Sequence, residues 1–191
     1  MAKSKMPNSN YLIRNTEYRI LNTGFTLIEL LIVMAIMGIL ATLLVGGFQT
    51  AQMRGRDSQR KSDLKQLSNS LELFYNDYGF YPADSSGLIV GCPYLASGSS
   101  IACSWGAGQF TDNKTTYFKK MPSDPSGAQI YFYRVVPGSG NKKYQVFAHL
   151  ENPKDPGCLN GDCANPGVSY ACGSGRTCNF AITSANTGPT E

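Results

Sequence analysis

The sequence predicts an α+β protein, in which a long N-terminal helix packs on a small antiparallel sheet with disulfide-rich loops. Three observations lead to this prediction. An apolar run of 24 residues extends from Phe25 to Phe48, a length that spans ~30 Å of hydrocarbon with some tilt. An apolar stripe at helical period follows it. The rest of the chain is rich in Gly, Pro, Ser and Asn and holds two β-like segments and all six cysteines.

The segment ahead of the apolar run, residues 1–24, is polar and basic. It holds four basic side chains and one acidic side chain, for a net charge of +3. An ordinary secretory signal is cut after its apolar segment, at a small-residue site, whereas a cut after Gly24 would precede the apolar segment. Basic residues also follow the run, so the positive-inside count does not decide its orientation. They are Arg54, Arg56, Arg60, Lys61 and Lys65.

One residue of the apolar run, Glu29, carries a charge. A charge at mid-membrane costs ~2.5–3.5 kcal/mol and less near an end, so an intramembrane carboxylate is a functional hypothesis with a partner to be named. Cleavage after Gly24 would free an α-amine on Phe25, about one helical turn from Glu29. In an assembly, the amine of a neighbouring subunit would then neutralise the carboxylate.

The segment Gly24-Phe25-Thr26-Leu27-Ile28-Glu29-Leu30, joined directly to a membrane-length helix, resembles the processing site of type IV pilins and type II secretion pseudopilins. The resemblance implies that a prepilin peptidase cuts after Gly24 and methylates the new amine of Phe25. It also implies that Glu29 guides subunit registration during assembly. The alternative is an ordinary signal anchor that carries a stray glutamate.

The resemblance implies a type IV pilin-like fold and a division of the chain into four parts. These are a leader at 1–24, a transmembrane and filament-core helix at 25–48, an amphipathic helix half at 49–81 and a β-rich head at 82–191. Its implied partners are further copies of the chain in a helical polymer, the prepilin peptidase/methyltransferase, the membrane, and an inner-membrane assembly platform with its ATPase. The precursor would be a single-pass protein of the cytoplasmic membrane, and the mature protein part of an extracytoplasmic filament.

One helix is predicted from Phe25 to about Tyr78, and Gly79 and Pro82 supply its stop. Gly46 and Gly47 lie where many type IV pilins carry a proline. The pair either loosens the helix within a filament or allows close helix packing. The stripe of the outer half, spaced 3, 4, 3 and 4, predicts the face that packs under the sheet. It consists of Leu64, Leu67, Leu71, Phe74 and Tyr78.

Two strands are predicted at Gln129–Val136 and Lys143–Leu150, with a turn between them. In the second, Tyr144 and every second residue after it alternate with Gln145, Phe147 and His149. Residues 168–172 and 178–183 are expected to form a second hairpin, and residues 85–117 an irregular loop with short elements. The passage Met121–Gly127 resembles the Pro-x-Asp-Pro-x-Gly passage of major pseudopilins.

The six cysteines lie beyond the helix, and their even number predicts disulfides and an oxidising, extracytoplasmic location. Reduced or zinc-bound thiols are the alternative, and the sequence has no Cys-x-x-Cys pair to favour zinc. Six cysteines allow 15 pairings. Nearness along the chain favours three local pairs: Cys92–Cys103, Cys158–Cys163 and Cys172–Cys178.

Little in the sequence indicates catalysis or nucleic-acid binding. The single histidine, His149, has no accompanying nucleophile motif, so we expect no enzyme. Without the leader the net charge is only about +1, so no specific nucleic-acid partner is evident. Asp155, Asn160 and Asp162 would supply oxygen ligands to calcium, which major pseudopilins often bind in a C-terminal loop; the alternative is Asx-turn chemistry. No other cofactor is expected.

These observations favour a structural subunit: a prepilin that polymerises into a helical filament, either a type IV pilus or a secretion pseudopilus. The alternative from another class is a binding module. In that case the chain would be a minor, tip-located pilin whose head acts as an adhesin or binds DNA or a secretion substrate.

Overall fold

The computed structural model describes residues 24–191, apart from the side chains of residues 43–46. The predicted leader, except for Gly24, lies outside the described residues. A single α-helix, α1, runs over Leu27–Tyr78. The predicted helix is thus confirmed within two residues at its start. The backbone is helical at Gly46 and Gly47; their loosening in a filament stays a prediction.

The end of α1 is set by a residue in the left-handed conformation. Gly79 has φ of 74°, and its N–H donates to the carbonyl of Tyr75 at 2.7 Å. This is the αL capping arrangement, in which glycine avoids the steric cost that a Cβ would carry. The predicted stop at Gly79 is therefore confirmed.

Contacts between Cα atoms divide the chain into two units, with the division between Leu43 and Leu44. Within the described residues, no single helix is both long and apolar enough to cross a membrane. The consecutive stretches Leu27–Thr42 and Gly47–Tyr78 meet that test of length and composition only when they are taken together.

The core of the second unit forms on the predicted stripe of α1. Leu64, Leu67, Leu71 and Phe74 are completely buried, and Tyr78 packs at the edge of the same cluster. The ring of Phe74 lies 4.5–5.3 Å, centroid to centroid, from four other aromatic rings, within the range at which aromatic pairs attract. These rings belong to Tyr78, Tyr94, Phe110 and Tyr117.

In residues 24–191, seven short strands make three antiparallel sheets. Two are hairpins within the segment expected to be an irregular loop: β1 (Asp84–Ser85) with β2 (Leu88–Ile89), and β3 (Phe110–Thr111) with β4 (Thr116–Phe118). The third sheet has the order β5-β6-β7, with β5 at Phe132–Val135, β6 at Tyr144–Ala148 and β7 at Phe180–Thr183. The two predicted strands are confirmed as β5 and β6, each shorter than expected.

The predicted second hairpin is wrong. Strand β7 pairs with β6, from Gln145 opposite Thr183 to Ala148 opposite Phe180, and residues 168–172 form no strand. A single bridge joins Ala171 to Thr177 at the mouth of the intervening loop. Pairing β7 with β6 satisfies the hydrogen bonds of an edge that would otherwise be open, which a local hairpin would not do.

The alternation along β6 does not separate a buried face from a solvent face, because every residue of β6 is buried. Tyr144, Val146 and Ala148 belong to the core on α1. Phe147, on the other face, packs in a second cluster with residues of the cysteine-rich end. The sheet is therefore covered on both sides.

All six cysteines form disulfides: Cys92–Cys103, Cys158–Cys163 and Cys172–Cys178. These are the three local pairs that nearness along the chain favoured. Each bridge closes a short loop of the head, and Cys103, Cys172 and Cys178 are completely buried. The predicted α+β fold, a long helix on small antiparallel sheets with disulfide-linked loops, is therefore confirmed.

Candidate functional site

The segment expected to be processed lies at the start of α1. Gly24 precedes the helix, and the side chain of Phe25 is 89% exposed. Thr26 is the residue just before the first helical position, where an oxygen-bearing side chain satisfies the free N–H groups of a helix. The peptide bond between Gly24 and Phe25 is thus outside the helix and accessible.

Glu29 and Thr26 bind each other across the first turn. The backbone N–H and the hydroxyl of Thr26 each donate to Oε2 of Glu29 at 2.8 Å. In return, the N–H of Glu29 donates to the Thr26 hydroxyl at 3.3 Å. This reciprocal pattern is a capping box, and the spacing Thr-x-x-Glu was its signal in the sequence. The capping box was not predicted from the sequence, where Glu29 was assigned only as the partner of an amine.

The helical surface after the capping box is apolar and uncovered. Large side chains along Leu27–Leu40 range from 84% exposed at Leu27 to 50% at Ile32. A soluble monomer rarely exposes so continuous an apolar surface, so this segment marks a contact with lipid or with other proteins. The described residues of the first unit, 24–43, therefore hold one carboxylate and an apolar face that lacks a partner within the described chain.

A buried ion cluster lies in the second unit, near the middle of α1. Arg60 is completely buried, and its Nε and Nη2 donate to the two oxygens of Asp124 at 2.7 and 2.9 Å. Its Nη1 donates to Asp57 at 2.8 Å and its Nη2 to Glu151 at 2.7 Å. Arg56 also binds Glu151 through two hydrogen bonds. One guanidinium thus joins the helix to two separate segments of the head.

Asp57 extends the cluster to the backbone after β6. Its carboxylate accepts the N–H groups of Glu151 and Asn152 at 2.9 and 2.8 Å. Asp57 and Arg60 continue the apolar stripe backward at spacings of 3 and 4, because Leu64 follows four positions after Arg60. The burial of Asp57 and Arg60 was not predicted from the sequence. Charged side chains are almost never fully buried unless they are paired, and two of the pairing partners are distant in sequence.

The ion pairs shift the pKa values of Glu151, Asp124 and Arg60 in the direction that keeps each of these groups charged. Hydrogen bonds from Arg56, aided by Arg60 and opposed by burial, lower the pKa of Glu151 to about 2. Burial opposes ionisation of Asp124, but the hydrogen bonds from Arg60 and Ser126 lower its pKa. Burial alone would lower the pKa of Arg60, and its carboxylate partners raise it instead. Glu151, Asp124 and Arg60 are therefore ionised at neutral pH.

Asp124 also explains the Pro-Ser-Asp-Pro-Ser-Gly passage that the sequence reading noted. One of its oxygens accepts the N–H and the hydroxyl of Ser126 at 2.9 and 2.7 Å, which fixes the turn before β5. The other oxygen receives Nε of Arg60. The passage thus presents a carboxylate to the helix in a turn of defined shape.

The residues considered for calcium do not converge on one point. Asp155 binds Lys61, Asp162 accepts from Ala164 and Asn165, and Asn160 donates to Pro166. Among the described residues, no group of three or more His, Cys, Asp or Glu side chains is placed to hold a metal ion. His149 is half-buried, and its Nδ1 lies 2.6 Å from the carbonyl of Thr177.

Comparison with known proteins agrees with the geometry of the N-terminal unit. A model of the prokaryotic N-terminal methylation motif matches residues 21–45. The chain is 34% identical to the type II secretion system core protein G of Pseudomonas aeruginosa over 119 residues, which are 61% of this chain and 75% of that relative. It is 32% identical to the protein of the same name from Escherichia coli over 106 residues, 54% of this chain and 66% of that relative.

A type IV major pilin, PilA of Myxococcus xanthus, is also similar. It is 43% identical over 60 residues, which are 31% of this chain and 27% of that pilin. No solved structure matches the chain. With its fold, its processing-type segment and a relative matched over three quarters of that relative's length, the chain belongs to the family of type IV pilins and type II secretion pseudopilins.

Proposed function

We propose that the chain is a filament subunit, which is cut after Gly24, methylated on the amine of Phe25 and polymerised through its N-terminal helix. The observation that carries this proposal is the uncovered apolar surface of Leu27–Leu40, which begins directly after the accessible Gly24–Phe25 bond. Full burial of one large aliphatic side chain contributes ~1.5–3 kcal/mol relative to water. Lipid covers this surface in the precursor, and neighbouring helices cover it in the filament.

In this proposal the chain has four parts with separate tasks. Residues 1–24 are the leader, residues 25–48 anchor the precursor in the cytoplasmic membrane and later form the filament core, residues 49–81 carry the head, and residues 82–191 form the outer surface. Other copies of the chain, a prepilin peptidase and an inner-membrane platform with its ATPase are the partners. The role is structural rather than catalytic, as the names of the similar proteins suggest.

Glu29 has two successive partners in this proposal. Before assembly, Thr26 occupies its carboxylate in the capping box. After cleavage, the α-amine of Phe25 in an adjacent subunit supplies an opposite charge. An ion pair in a medium of low dielectric constant is attracted far more strongly than in water. This attraction supports a role of Glu29 in registering one subunit against the next.

A secretion pseudopilus is the favoured filament. The similarity to type II secretion core proteins extends over 61% of this chain, into the head, whereas the similarity to the major pilin covers 31%. The apolar helix is shared by both groups, so similarity in the head discriminates better between them. Imaging of filaments with the chain labelled separates a major subunit from the tip-located alternative. Labelling along the whole length supports a major subunit, and labelling at tips alone supports the tip-located binding module.

Processing is tested by the intact mass of protein from assembled filaments. The mature chain should begin at Phe25 and carry the added mass of a methyl group. Gly24→Asp should remain uncut. A Cβ at position 24 would meet none of the described residues within 4 Å, so we expect any block to arise in the peptidase. Gly55→Asp is the matched control, because position 55 is equally open and lies outside the motif. Retention of residues 1–24 in assembled wild-type protein would contradict the proposal.

A further inference from the structure

The loop that follows β6, residues 152–165, contacts the side-chain ammonium of a lysine on α1. The Nζ atom of Lys61 on α1 lies 2.6 Å from Oδ1 of Asp155. The same oxygen accepts the N–H of Gly157 at 2.8 Å. The ammonium also lies 5.6 Å from the centroid of the Phe180 ring on β7, at a distance where a ring face attracts a cation. One ammonium therefore contacts a carboxylate and an aromatic ring from two segments of the head.

Glycine at position 157 leaves room for this ammonium. A Cβ built on Gly157 would lie 3.1 Å from Oδ1 of Asp155, 3.3 Å from Nζ of Lys61 and 3.4 Å from Phe180. The first two separations are tighter than ordinary van der Waals contact. The backbone at Gly157 therefore lies close to the ammonium of Lys61.

The side chains of Asp162 and Asn160 form hydrogen bonds to residues 164–166. Oδ1 of Asp162 accepts the N–H of Ala164, and Oδ2 accepts the amide of Asn165, both at 2.8 Å. The side chain of Asn160 donates to the carbonyl of Pro166 at 3.1 Å. Calcium requires six to eight oxygen ligands at 2.3–2.6 Å around one point. This donor set does not fit calcium, because its members serve separate turns and Asp155 already faces a positive charge.

A disulfide and the hydrogen bonds of one buried asparagine also hold this loop in place. The disulfide Cys158–Cys163 links its middle to its end. Asn179 is almost completely buried, and its amide donates to the carbonyls of Leu150 and Cys163 at 3.1 and 3.3 Å. The N–H of Leu159 in turn donates to the carbonyl of Asn179 at 2.8 Å. Leu159 and Cys163 of the loop are therefore both hydrogen-bonded to Asn179, the residue just before β7.

We infer that the ammonium of Lys61 is the resident cation of the 152–165 loop, taking the place of the calcium ion that the resemblance to major pseudopilins implies, so that the head folds without a divalent metal. A cation that is covalently part of the chain is always present at the site, whatever the calcium concentration outside the cell. The inference concerns folding of the head and does not depend on filament assembly.

The test is thermal unfolding of the full chain in detergent micelles, in 1 mM CaCl₂ and in 1 mM EGTA. The unfolding temperature of the wild type should be the same in both. Lys61→Met should lower it by ~2–4 °C, the shift that a change of about 1 kcal/mol produces in a domain of this size. It should also increase the rate at which a protease cuts within residues 152–165. Lys65→Met is the matched control, since Lys65 is exposed one turn further along α1, and it should change neither quantity.

Two outcomes would overturn the inference. One is a wild-type unfolding temperature that rises with calcium, together with saturable binding of one Ca²⁺ per chain in a calorimetric titration. The other is a Lys61→Met variant that behaves like Lys65→Met. Neither result would bear on whether the chain is cut after Gly24, which the intact mass reports separately.

Discussion

The guanidinium of Arg60 and the carboxylate of Asp124 form a bidentate pair at 2.7 and 2.9 Å, across 64 positions of sequence. Both side chains are almost completely inaccessible to solvent. The pair joins the helix, which is set by local sequence, to the turn that leads into β5. Because both charges are buried, each remains favourable only while the other charges of the cluster compensate it.

The first prediction concerns the loss of the central cation. Arg60→Met should destabilise the head by about 3–5 kcal/mol, the usual cost of leaving buried charges without their partner. The carboxylates of Asp57 and Asp124 would remain buried and uncompensated. The measurement is the free energy of unfolding of the full chain in micelles, from denaturant titration followed by the fluorescence of Trp105.

Arg54→Met is the control for that change. Arg54 is exposed on the same helix and has no ion pair within the described part of the chain. Its substitution should alter the free energy of unfolding by no more than about 0.5 kcal/mol, as is usual for surface positions. Equal effects of the two substitutions would contradict the role assigned to the cluster.

The second prediction is a loss of stability in acid that depends on Glu151. The pKa of Glu151 is about 2 in the folded chain, below its ordinary value of 4.5. A carboxylate with a lowered folded pKa stabilises the protein above its unfolded pKa, and this contribution disappears as the pH falls through the folded value. Stability should therefore decrease between about pH 4.5 and pH 2.

Glu151→Gln isolates this contribution. The variant should be less stable than the wild type at pH 7, by ~1 kcal/mol or less because the Arg56 side of the pair is partly exposed. The difference should shrink as the pH approaches 2, where the wild type also loses the charge. A difference that stays constant from pH 7 to pH 2 would show that the charge of Glu151 contributes nothing.

The third prediction separates the two roles of Glu29. Glu29→Gln retains an acceptor for the capping box, since glutamine also serves at this position, but removes the charge. Thr26→Ala retains the charge and weakens the helix start by ~0.5–2 kcal/mol. If the carboxylate pairs with a neighbouring amine, Glu29→Gln should insert into the membrane and assemble poorly, while Thr26→Ala should still assemble. Filament yield by electron microscopy and immunoblotting provides the measurement. Wild-type yield from Glu29→Gln would refute the pairing.

The fourth prediction concerns the loop closed by Cys172–Cys178. A Cβ at Gly173 would lie 2.6 Å from the carbonyl oxygen of Ala128 and 2.9 Å from Cα of Gln129. Both contacts are to backbone, which cannot move aside cheaply. Gly173→Ala should therefore disrupt the bridge between Gln129 and Gly173 and destabilise the head by about 1–3 kcal/mol, as overpacking usually does.

Gly175→Ala is the matched control for that substitution. Both glycines have a positive φ, of 124° at Gly173 and 69° at Gly175. A Cβ at Gly175, however, would meet nothing within 4 Å. Its substitution costs only the backbone strain of a left-handed alanine, about 1 kcal/mol. A melting temperature for Gly173→Ala that is no lower than for Gly175→Ala would contradict the proposed steric clash.

Local patterns in the sequence predicted α1, its end at Gly79, the strands β5 and β6 and the three disulfide pairs. Each depends on residues that are close along the chain: the helical stripe, the left-handed glycine, the apolar run and cysteines separated by a few residues. The processing segment Gly24–Phe25 and Glu29 is also a local pattern.

Only the tertiary structure decided which segments meet across long separations. It paired β7 with β6 instead of with residues 168–172, buried Asp57 and Arg60 on the stripe, and placed Lys61 against Asp155. A charged side chain is assigned to the surface when only the sequence is known. Burial of Arg60 becomes favourable only because carboxylates that are distant in sequence lie within hydrogen-bond distance of its guanidinium. The free energy of these ion pairs depends on distance and burial, which no local spacing encodes.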